Sequence, residues 1–133
     1  MKRSITFFRI GSIILILLGA IHLMAHFAMR PSDAALDKLL ADMGNYKIEL
    51  LGEHTLLKFY FGFSVMMGFL LIALGILNLF FSKLINKAAI YATIIILVIA
   101  FIIAFNYFHV LAFGFIFISI LCYIISLIVY HRN

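Results

Sequence analysis

The chain has 133 residues, of which 67% are hydrophobic and 11% charged, whereas a soluble domain carries roughly 25% charged residues. With a mean hydropathy of +1.25, this composition excludes a water-soluble core under a polar surface and predicts one compact integral membrane unit. The net charge of +5 is no nucleic-acid footprint, because the basic residues are scattered and most of them flank apolar runs.

The first span is predicted over about 7–29, long enough for the roughly 20 apolar residues a crossing helix needs. Met1-Lys2-Arg3 before an apolar run resembles a signal peptide, but no small-x-small cleavage signal follows, so an uncleaved first span is expected. Arg30-Pro31 should end it, because proline disfavours helix in the residue before it. Gly11, Leu15, Leu18, Gly19, His22 and His26 fall on one helical stripe, and its small residues permit close helix approach. His22 and His26, four residues apart, share one face.

Residues 30–55 form the only sizeable polar segment and hold all five acids, Asp33, Asp37, Asp42, Glu49 and Glu53. Leu36, Leu39, Leu40 and Met43 repeat at helical spacing, which predicts a short amphipathic helix. Ser32 or Asp33 can cap it, and Gly44-Asn45 can stop it. It should lie flat on the interface or over the bundle mouth. A short apolar patch follows at Ile48, Leu50 and Leu51.

The second span is predicted over about 56–81, with Ser64, Gly68, Gly75 and Asn78 close to one face. A short basic connection, Ser82 to Lys87, follows it. Residues 88–130 are then one apolar stretch of 43 residues. As a single helix it would run about 64 Å, twice the roughly 30 Å hydrocarbon core. The chain must turn back, and the one polar cluster midway is Asn106, Tyr107 and His109. The third and fourth spans are therefore set at about 88–107 and 111–130. The fold expected is an all-α integral membrane four-helix bundle, one domain over 1–133, with a short amphipathic helix in its loop.

Basic residues without acids flank the two termini and the 82–87 connection. The positive-inside rule then predicts both termini in the cytoplasm and the acidic loop outside. This topology gathers His22, His26, Glu53, His54, Asn106, Tyr107 and His109 at the loop side, while His131 lies on the other. Ionisable side chains at membrane depth point to function by default.

Three readings of this cluster compete. In the first, His22, His26, His54 and His109 hold a metal, or two of them a haem. No HExxH or ExxH spacing supports it. In the second, the cluster is a polar pocket for a lipid, quinone or other amphipathic molecule, with Phe and Met lining its tail. Any catalysis there would fall to His22, His26 or Glu53. In the third, the histidines only tie helices together through hydrogen bonds. Cys122 and the Met66-Met67 pair read as span filler. Titratable groups are few and no catalytic spacing is present, so a membrane binding or accessory protein is expected before an enzyme acting on a lipid or quinone. The partners expected are the bilayer and a lipid, quinone or membrane protein, and no nucleic acid.

Arg9-Ile10-Gly11 with Gly19-Ala20-Ile21-His22, and Gly52-Glu53-His54-Thr55-Leu56 with Phe59-Tyr60-Phe61-Gly62-Phe63-Ser64, resemble stretches of small four-span bacterial membrane proteins. The gross plan is similar to the DoxX-like group. The resemblance implies a four-helix bundle in a bacterial inner membrane and carries over no catalytic residue.

Overall fold

Apolar runs too long for one core and too poor in charge for water must satisfy every backbone group within the segment, which makes them helices. A computed structural model describes residues 2–28, 33–49 and 54–132. It has α1 (Lys2–Ala28), α2 (Ala34–Asn45), two short strands β1 (Lys47–Ile48) and β2 (His54–Thr55), then α3 (Leu56–Phe81), α4 (Lys87–Tyr107) and α5 (Val110–His131). The helices α1, α3, α4 and α5 are each long and apolar enough to cross a membrane. The fold is the expected all-α four-span bundle.

Element ends follow local chemistry. Asp33, one of the two expected caps, accepts a hydrogen bond from the Ala35 amide at 2.9 Å and starts α2. Asn86 caps α4 through the Ala89 amide at 2.9 Å. A 3₁₀ turn over Ser82–Leu84 precedes it. The long apolar stretch breaks at Phe108-His109, inside the predicted window, where both residues adopt extended backbone. α1 starts earlier than predicted, at Lys2. The stop at Arg30-Pro31, the alternative cap Ser32, Leu50, Leu51 and Glu53 lie outside the described residues.

The loop holds a feature the sequence reading did not include. β1 and β2 pair antiparallel, Lys47 with Thr55 and Ile48 with His54. α2 lies against β2 and the start of α3. Leu36, Leu40 and Met43 are half-buried, but Leu39 is 55% exposed. The contact face is thus an i, i+4, i+7 stripe narrower than the predicted one.

The four spans run alternately up and down, with α1 at the centre. It packs against α3 on one side and α5 on the other, and α4 packs against α5. No comparable interface joins α3 to α4. Glycine sets the α1–α3 spacing. A Cβ on Gly19 would sit 2.6 Å from the Gly68 carbonyl oxygen, and one on Gly75 would sit 2.7 Å from the Ser12 carbonyl oxygen. Neither backbone could come so close with a side chain between them.

The α1–α5 face is polar at its heart. Ser4 and Ser126 donate to each other's carbonyl oxygens at 2.8 and 2.9 Å. Ser119 donates to the Gly11 carbonyl at 2.9 Å. Ser12 donates to the Phe8 carbonyl at 2.8 Å, so the Tyr123 hydroxyl, 2.9 Å away, must donate to Ser12. Tyr123 in turn accepts from Asn78 of α3 at 3.0 Å. Phe8 meets the Tyr123 ring edge-on at 4.9 Å. Arg9 reaches the buried Ser82 at 2.8 Å. Among the described residues no buried side-chain nitrogen or oxygen lacks a partner. These bonds fill the half of the bundle nearer the chain termini, called here the terminal end.

Candidate functional site: a histidine-floored cavity between the spans

The other half, nearer the loop, is hollow. Because α3 and α4 leave each other uncovered, a cavity of about 810 Å³ remains between α1, α3, α4 and α5. Its walls include Leu18 and Ala25 of α1, Phe63, Met67 and Leu74 of α3, Leu97 and Ala100 of α4, and Ile116 of α5. Several wall residues are also open to the outside of the bundle, among them Phe63, Met66, Leu70 and Ile96. The cavity is therefore open at the side, along the uncovered α3–α4 edge.

Its polar groups come from His22, His26, His109, Ser64 and Tyr60. His22 is held firmly. Its Nε2 lies 3.0 Å from the Ser64 carbonyl oxygen and 3.1 Å from Ser64 Oγ. A carbonyl oxygen only accepts, so Nε2 carries the proton. The opposite tautomer would set two lone pairs against each other. Gly68 makes room for the ring, since a Cβ there would lie 3.2 Å from His22 Cδ2 and 2.7 Å from Leu23. With the Nε2–Cδ2 edge seated on α3, the Nδ1–Cε1 edge is the one left for the cavity. Nδ1 has no hydrogen-bond partner among the described residues.

His26, one turn nearer the loop, is half-buried and among the described residues makes only ring contacts, edge-on to Phe27 at 4.9 Å and to Phe61 at 5.1 Å. His109 begins α5 without capping it through its side chain and stands exposed at the cavity rim.

The predicted cluster is only partly assembled. His22, His26 and His109 line the cavity. His54 instead faces a separate groove of about 390 Å³ with Lys58, Phe59 and Gly62. Asn106 turns back to donate to the Ile102 carbonyl at 2.7 Å, and Tyr107 is 81% exposed. Neither lines the cavity. Glu53 lies outside the described residues. The proposed ligand set of His22, His26, His54 and His109 does not converge, and among the described residues no three His, Cys, Asp or Glu side chains could hold a metal together. His54 sits in β2 before α3 begins and opens on the other groove, so it does not join the three histidines that line the cavity.

Ser64 is the site residue the sequence reading named only as part of a packing stripe. Its link to His22 was legible, because a hydroxyl on the small-residue face of one span is the natural partner for an imidazole on that of another.

The chain matches no protein-family model, no curated protein and no solved structure.

Proposed function

We propose that this protein binds an amphipathic small molecule of the bilayer, taken in sideways between α3 and α4 and held with its polar end at His22. The observation that carries this reading is the cavity itself. It is mostly apolar, lies open along the α3–α4 edge, and holds one imidazole fixed by α3 whose Nδ1 has no partner among the described residues. Ligand sites have this build, a mostly apolar pocket with few well-placed polar groups. Binding rather than turnover fits the chemistry, because His22 Nε2 is committed to Ser64 and no carboxylate of the described residues lines the cavity.

The same proposal puts both termini in the cytoplasm, on the one-sided distribution of basic residues, and takes the bacterial inner membrane from the resemblance to small four-span bacterial proteins. Labelling cysteines at Asp37→Cys and Asn86→Cys tests this. Position 37 should react from outside the cell and position 86 should not.

The binding test is native mass spectrometry of the full chain released from its own membrane. A bound amphipathic molecule should accompany the wild type. It should be lost from Ala25→Phe, which fills the cavity from α1 without touching the terminal-end hydrogen bonds. Equal occupancy in both proteins would refute the cavity as the site.

A further inference from the structure

We infer that the molecule bound in this cavity is a lipophilic alcohol or phenol, whose hydroxyl donates to Nδ1 of His22. The inference rests on the cavity-binding reading and refines it. Three observations carry it. Nε2 of His22 is fixed as a donor, because the Ser64 carbonyl oxygen 3.0 Å away only accepts. In the neutral ring this leaves Nδ1 with a lone pair and no proton. No carboxylate of the described residues lines the cavity to pair with a charged ring.

Ser64 Oγ accepts from the same Nε2–H at 3.1 Å and keeps its own proton free to turn toward the cavity. The floor therefore offers one fixed acceptor and one rotatable donor. A hydroxyl matches this pair, since it both gives and takes a proton. A ketone, ester or ether can only accept. Bound here, any of them would leave Nδ1 buried without a donor, which costs more than the mean hydrogen bond is worth. Sites built around a hydroxyl discriminate against analogues lacking it for this reason. Apart from His26, His109 and Tyr60 toward the loop, the remaining lining, from Leu18 to Met67 and Leu74, suits an unbranched or isoprenoid hydrocarbon body.

The probes are hexadecanol and hexadecyl methyl ether, which share a hydrocarbon chain and differ in one donor proton. The full chain is placed in phosphatidylcholine nanodiscs, and binding is read by native mass spectrometry. Hexadecanol should bind about tenfold more tightly than the ether. That ratio should fall to about one in His22→Phe, a comparison made within one variant and so insensitive to its overall stability. Long-range ¹⁵N NMR of the wild type gives a second readout that needs no variant. It should show His22 protonated at Nε2 alone, with the Nδ1 resonance moved by hexadecanol and unmoved by the ether. Equal binding of the two probes, lost together in Ala25→Phe, would overturn the hydroxyl assignment and leave the cavity reading standing. Binding of neither probe to the wild type would overturn both. A doubly protonated or Nδ1-protonated His22 would overturn the hydroxyl assignment by itself.

Discussion

The two ends of this bundle solve the same problem in opposite ways. At the terminal end, Ser4, Ser12, Asn78, Ser119, Tyr123 and Ser126 sit in helices that would otherwise be featureless to one another. Each of them makes at least one hydrogen bond, and Gly75 draws the backbones into contact. At the loop end, α1 still touches α3 at Gly19 and Gly68, but α3 and α4 stay apart, the walls are mostly apolar, and His22 Nδ1 has no partner among the described residues. In a bilayer, hydrophobicity cannot drive helices together, because lipid tails are as apolar as leucine. Close packing and hydrogen bonds decide where a bundle is tight. This chain gathers most of its interhelical hydrogen bonds at one end, and the gap between α3 and α4 at the other becomes a cavity.

The largest effect should come from forcing the tight end apart. Gly75→Leu would drive a side chain into the Ser12 carbonyl oxygen, 2.7 Å from where its Cβ must lie. Overpacking of this kind costs about 3 kcal/mol, and it should appear as a large fall in unfolding midpoint in detergent. If Gly75→Leu is as stable as wild type, the tight end is not where the stability lies.

Tyr123→Phe should do less. It keeps the ring against Phe8 but leaves the Asn78 amide without its acceptor and Ser12 without a donor. A loss of about 1–2 kcal/mol is expected, in line with one buried donor left unmade. Cavity binding should be unchanged, because the two regions share no hydrogen bond.

The smallest stability effects belong to the cavity histidines. His22→Ala should cost about 1 kcal/mol, the usual worth of a hydrogen bond between membrane helices. His26→Ala should cost less, since among the described residues His26 makes ring contacts only. The order for ligand occupancy is the same, with His22→Ala nearly abolishing it. Parallel thermal unfolding and mass spectrometry separate the two effects. A loss of occupancy matched by an equal loss of fold would reduce His22 to a helix tie.

Spans and turn were readable from sequence because bilayer thickness is a ruler. A 43-residue apolar stretch has to break, and the break falls at Phe108-His109. Depth was readable for the same reason, so His22, His26 and His109 were placed near one level. Direction was not. A residue's angle around its helix means nothing until the neighbouring helix is known, and the order α3–α1–α5–α4 is not written in any one segment. That is why Asn106 and Tyr107 were grouped with residues they do not meet. The serine network was missed because each serine alone reads as filler in an apolar run. Taken together, Ser119, Tyr123 and Ser126 at i, i+4, i+7 form a polar stripe, and Ser4 and Ser12 lie on another. Two such stripes in separate spans are the signal that would have paired α1 with α5.

The central position of α1 has a consequence for how the protein is made. Of the four spans α1 is the first to leave the ribosome and α5 the last, because domains emerge from the N-terminus onward. The first helix in the membrane must therefore wait for the last before Ser4 gains its partner. Ser12 can wait cheaply, since it already donates to the Phe8 carbonyl within its own helix. Among the described residues the Ser4 hydroxyl bonds to Ser126 alone. Until α5 arrives, α1 has α3 on one flank and lipid or a helper protein on the other. A ribosome stalled before residue 110 would hold a half-clad chain, ready to be closed by its final helix or captured by the membrane's quality control.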